Sequence, residues 1–149
     1  MTSIARKIDK MEPLIKIRRL QLDQQLYIAQ EILIRKNAAK DELMRCQHMY
    51  IKGIDRLNQE RQSPERKMLE ALERSVDHAK SLWHKRLMDL RAIEAEERVQ
   101  EQVVKLAYKN LKMLEKLDER YTVDLNEHLK KIEQKQLDEF AIQSARRKI

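Results

Sequence analysis

A chain of 149 residues with one glycine and two prolines has almost nowhere to turn. Sharp reversals use Gly, Pro, Asn and Asp in clusters, because these residues reach the required backbone angles or hydrogen-bond locally. The fold must therefore be built from long, uninterrupted elements. Hydrophobic residues make up 42% of the chain, too many for a disordered polyampholyte. They are mainly Leu, Ile, Ala and Met, all good helix formers. With 38% charged and 4% aromatic residues, the composition is that of long helices or coiled coil. Burial has to occur along a seam.

Two places interrupt the helical pattern. Proline is tolerated in the first turn of a helix and not in its interior, so Pro13 predicts a helix start. Residues 1–12 are then a frayed or weakly helical lead-in. The stronger signal is Ser63-Pro64-Glu65, in which Ser63 caps free N–H groups, Pro64 suits the first helical position and Glu65 complements the dipole. The polar run Asn58-Gln59-Glu60-Arg61-Gln62 suits a hairpin tip, and Gly53 marks either fraying or a tolerated helix glycine. Helix one is expected over about 13–59, the tip over about 60–63, and helix two over about 64–147.

Heptad spacing supports this division. In helix one, Ile15, Leu22, Ala29, Leu43, Tyr50 and Leu57 recur every seven residues, with Lys36 breaking the register. Leu26, Ile32, Leu33, Ala39, Cys46 and Ile54 are expected to widen that stripe. In helix two, Leu69, Val76, Trp83, Leu90, Val104, Leu111, Leu125 and Ile132 share one position, and Leu72, Ala79, Ile93, Ala107, Leu114 and Tyr121 the other. A seven-residue repeat keeps one apolar seam facing its partner. Arg86, Glu97 and Gln100 interrupt it, and looser packing is expected there.

The expected fold is all-α, an antiparallel coiled-coil hairpin in which helix two is longer and overhangs. A short connection makes the helices antiparallel neighbours, and a tip near residue 61 pairs residues whose numbers sum to about 122–125. Helix one then cannot cover the last ~25 residues of helix two. These still carry Leu125, Leu129, Ile132, Leu137, Phe140 and Ile142. An apolar stripe without an intramolecular partner marks a contact surface.

Catalytic patterns are missing. One glycine cannot build a phosphate-cradling loop, and His48, His78, His84 and His128 lack the i,i+4 spacing that two metal ligands on one helix face need. No cofactor is expected, and a two-helix rod offers no water-excluding pocket for acid–base chemistry. The net charge of +7 is mostly interleaved, as in Lys40-Asp41-Glu42, which describes a solvated face rather than a nucleic-acid surface. Basic residues do gather at Lys16, Arg18 and Arg19 and again at Arg146, Arg147 and Lys148. The last three favour their own helix dipole or an acidic partner. The single Cys46 falls on the apolar stripe and fits a reducing compartment. Neither a secretory signal nor a bilayer-spanning apolar run is present. A cytoplasmic, non-enzymatic protein, not an integral membrane protein, is expected.

The segment Lys135-Gln136-Leu137-Asp138-Glu139-Phe140-Ala141, followed by Ala145-Arg146-Arg147-Lys148, resembles the C-terminus of the flagellar export protein family FliJ. The resemblance extends upstream through Leu117-Asp118-Glu119-Arg120-Tyr121-Thr122, and Leu72-Glu73-Arg74-Ser75-Val76-Asp77 resembles the start of the family's second helix. Most of helix two is covered, whereas helix one is similar in character only. Ile17-Arg18-Arg19-Leu20 looks as much like the related injectisome family YscO (SctO).

The resemblance implies a hairpin similar to the γ stalk of rotary ATPases. Its end bearing both termini would enter the pore of the hexameric export ATPase, of FliI or SctN type, and promote ring assembly. It also implies contacts with export chaperones and with the export gate protein, of FlhA or SctV type. The ATPase-binding residues would be Leu125, Leu129, Ile132, Leu137, Asp138, Glu139, Phe140, Arg146, Arg147 and Lys148. Those facing the gate would be Leu43, Cys46, Tyr50, Met68, Leu72, Ser75 and Ala79. The residues by themselves leave open a generic coiled-coil scaffold or chaperone-like adaptor, and a basic nucleic-acid-binding coiled coil.

Overall fold

The computed structural model describes residues 3–62 and 65–147. Two helices account for nearly all of them: α1, Ser3–Glu60, and α2, Arg66–Arg147. They pack against each other as an all-α hairpin, with no strand among the described residues. By contacts the chain divides into a terminal unit, Met1–Gln24 with Lys105–Ile149, and a tip unit, Gln25–Val104.

In the terminal unit Met11, Ile15 and Leu111 form a buried cluster, packed by Leu22, Leu114, Leu117 and Tyr121. This cluster corrects the expected helix start. α1 begins at Ser3 and runs through Pro13, so residues 3–12 belong to the same helix rather than to a lead-in. An interior proline costs about 3 kcal/mol by losing one hydrogen bond and crowding the preceding turn. Burying Met11 offsets about 1.5–3 kcal/mol of that, and half-buried Ile4 and Ile8 add to it. Pro13 itself points to solvent. The apolar face upstream decides the outcome.

In the tip unit α1 ends in a tightened turn, with Arg61 N–H donating to the Leu57 carbonyl at 3.0 Å and Gln62 N–H to that of Gln59 at 3.4 Å. The expected Ser63 cap and Pro64 start lie outside the described residues. The Glu65 carbonyl accepts from Leu69 N–H at 3.3 Å, opening α2. The turn thus sits a few residues later than a tip at 61. Lys36 pairs with Glu97, beyond the residues about 86–89 that the expected register sets opposite it, whereas Gln25 pairs with Gln100 within that register.

The expected seam of α2 matches the burial along it. Leu90 is buried, while Leu69, Leu72, Val76, Ala79, Trp83 and Ile93 are half-buried. Trp83 stacks on Tyr50 with ring centroids 5.5 Å apart. Cys46 is 1% exposed, and a Cβ on Gly53 would lie 3.2 Å from Val76 Cγ2. That glycine permits a close helix approach and marks no fraying. The stripe on α1 is narrower than expected. Gln25 and Ile32 face inward, while Leu26 and Leu33 are each 47% exposed, because the next residue on a helix points about 100° away.

The interruptions at Arg86, Glu97 and Gln100 are polar layers. Gln100, 9% exposed, donates at 2.9 Å to both the backbone carbonyl and Oε1 of Gln25. Lys36 Nζ meets Glu97 Oε1 at 2.8 Å. Arg86 Nε lies 3.8 Å from Glu42 Oε1, buried and without a hydrogen bond of its own, while its Nη1 donates to Asp89 at 3.0 Å. Each polar position on α2 thus faces a polar group on α1.

Candidate partner-binding segment of the second helix

From Asn126 to Gln143 every residue of α2 is exposed. They remain helical to Arg147. Good helix formers hold this segment, with one side-chain link from Gln134 Nε2 to Asp138 Oδ1 at 3.0 Å. Arg146 and Arg147 occupy the last turn, where cations favour the helix dipole.

Not all six apolar residues expected in one stripe share a face. At 3.6 residues per turn, Leu125, Leu129, Ile132 and Phe140 fall within roughly 80° of arc. Leu137 lies about 60° beyond Phe140, and Ile142 about 80° beyond Ile132 on the other edge. Leu125 is half-buried at the edge of the covered region, whereas Leu129, Ile132 and Phe140 are 51%, 40% and 69% exposed. Leu137, Asp138, Glu139, Arg146 and Arg147 are exposed, and Lys148 lies outside the described residues. Charges of both signs border the face, so a partner meets an apolar strip with a mixed polar rim, as in many transient interfaces.

The gate-facing set does not form a surface. Leu43, Tyr50, Leu72 and Ala79 are half-buried along the seam of the tip unit and Cys46 is buried. A contact through Cys46 would require the helices to separate, and the other four offer only the outer edges of their side chains. Only Met68, 39% exposed, and Ser75 stand free. The heptad pattern contained this warning, since it assigns Tyr50, Leu72 and Ala79 to the seam.

Electrostatics tie the two helices where the seam is polar. The hydrogen bond it donates to Glu97 raises the Lys36 pKa above its ordinary value, with the charges of Glu97, Glu94 and Glu101 adding attraction. Glu42 is held below the ordinary carboxyl range, chiefly by its hydrogen bonds from Arg45 and also by the Arg86 charge. In the terminal unit Lys112 is raised by Glu115, which also lies 3.8 Å from Arg19. Among the described residues no group of His, Cys, Asp and Glu is placed to hold a metal ion, and no helix is long and apolar enough to cross a membrane.

No family model, characterised protein or solved structure matches this chain. Fold and segment together define a class: an all-α helical hairpin whose terminal unit carries an uncovered helical segment with an apolar face.

Proposed function

We propose that this chain is a non-enzymatic component of a bacterial type III protein export apparatus, flagellar or injectisome. It acts as the stalk seated in the hexameric export ATPase ring, promoting ring assembly. Through the rest of the hairpin it links the ring to the export gate and chaperones, at the cytoplasmic side of the membrane-embedded machinery. The observation that carries the reading is the run of exposed helix from Asn126 to Gln143 with Leu129, Ile132 and Phe140 on one face. A shaft held by a ring needs a side-chain surface its own fold leaves free, and this segment supplies one. The resemblance of Lys135–Lys148 to the FliJ terminus supports the choice of partner.

The test is co-purification with an export ATPase of FliI or SctN type. Phe140→Ala, or a chain ending at Gln136, is expected to lose the complex while keeping the helicity of the remaining residues. Undiminished recovery of the ATPase with the shortened chain would sink the proposal. Of the gate-facing set, Met68 and Ser75 alone are exposed in the closed hairpin. A gate contact in the closed hairpin is expected to respond to Met68→Glu and not to Cys46→Ala.

A further inference from the structure

Leu26 and Leu33 stand outside the seam, and their neighbours Tyr27 and Ile34 are 63% and 62% exposed. All four belong to the tip unit. Residues 26 and 27 lie two turns from 33 and 34, with exposed Gln30 on the turn between. These five side chains form one continuous face about 120° wide, comparable to the face a helix ordinarily turns toward a core. Glu31, the one charged residue between 26 and 34, projects outside that face. α1 therefore has two apolar faces in this region, and α2 covers one.

We propose that a second copy of this chain covers the other, with the two α1 helices antiparallel about a twofold axis at Gln30. The face is complementary to itself under that reversal. Turning the helix about residue 30 sets Leu26 against Ile34 of the second copy and Tyr27 against its Leu33. Gln30 meets its own counterpart on the axis, where each amide can both donate and accept. No like charges are brought together within the face. The exposed parts of these side chains amount to on the order of 500 Å² per copy, or about 1,000 Å² for the pair. Even buried in full, that total lies below the roughly 1,200–2,000 Å² of stable specific interfaces, so the dimer it makes is weak and reversible. The surface is separate from the Asn126–Gln143 segment and does not rest on the export reading.

Sedimentation velocity of the full chain across roughly 1 to 200 µM tests this. The mass is expected to rise from 18.0 kDa toward twice that value. Tyr27→Glu combined with Ile34→Glu is expected to weaken dimerisation at least about tenfold with unchanged helicity. Ile132→Glu with Phe140→Glu leaves the dimer intact. Should the first pair disturb folding, Gln30→Cys in a Cys46→Ala background provides a second readout. A short bis-maleimide is expected to link that variant into dimers much faster than a Met88→Cys control, whose site is 62% exposed. A constant mass of 18.0 kDa, association lost with the Ile132/Phe140 pair but kept by the Tyr27/Ile34 pair, or equal linking at 30 and 88 would each overturn it.

Discussion

Gln100 shows how single residues set the register of this hairpin. One amide holds both the backbone and the side chain of Gln25, so a shift of either helix leaves buried polar groups unpaired. Losing a partner in such a place costs more than the bond gained by making it. Gln100→Leu is expected to lower unfolding free energy by about 1–2 kcal/mol in urea titrations. Replacing Gln25 and Gln100 together by Leu recovers most of that loss, since both polar groups then leave the seam. No recovery in the double variant would show that the pair is not acting as a unit.

Charge gives this residue-scale argument a pH dependence. Glu42 is held below its ordinary value of 4.5, so its stabilisation is present at neutral pH and lost as pH falls through the acid range. Lys36 is raised above 10.5, so its contribution is complete below that value and lost as pH rises beyond it. Melting temperature followed by circular dichroism is expected to be flat around neutrality and to fall on both sides. Glu42→Gln should shrink the acid fall, and an unchanged acid limb in that variant would refute the assignment.

The elements show which local rules yield to packing. Pro13 breaks the rule for helix interiors and is tolerated because Met11, Ile15 and Leu111 bury together around it. Since the proline is solvent-facing, Pro13→Ala is expected to raise stability by about 2–3 kcal/mol and to slow amide exchange over residues 3–12. Gly53 is the opposite case, a helix-weakening residue placed where the helices nearly touch. Half-buried Val76 can yield by a few tenths of an ångström, so Gly53→Ala is expected to gain about 0.5 kcal/mol. Gly53→Leu, which needs several times that space, is expected to lose about 1–3 kcal/mol. Thermal melts of the two variants moving in the same direction would contradict this account.

At the scale of the whole molecule, stability and binding separate along α2. Residues 126–143 are exposed throughout, so they contribute helix but almost no burial. A chain ending at Leu125 is expected to lose helical signal in proportion to the residues removed, while its melting midpoint stays within about 2 °C. A drop well beyond that would mean the segment supports its own fold and is not free for a partner.

The all-α hairpin was legible in the chain because Gly and Pro are so scarce and because apolar residues keep a seven-residue spacing on both sides of Ser63-Pro64. The exposed end was legible too, since a turn before the middle of the chain leaves α2 with more residues than α1 can cover. What the spacing could not tell was which of two adjacent residues turns inward. Leu26 was expected in the stripe, and only the pairing of Gln25 with Gln100 placed the amide inside and the leucine out. For Tyr50, Leu72 and Ala79 of the gate-facing set the heptad positions did tell, since they place on the seam three residues that the structure finds half-buried there.

Backbone chemistry along the chain thus settled that two long helices form and roughly where the reversal falls, since propensity and turn formation are local. Register, the helical state of residues 3–12 and the free face on α1 were decided by the packed pair. These depend on groups far apart in sequence, such as Lys36 with Glu97 and Met11 with Leu111, whose energies exist only when both helices are present.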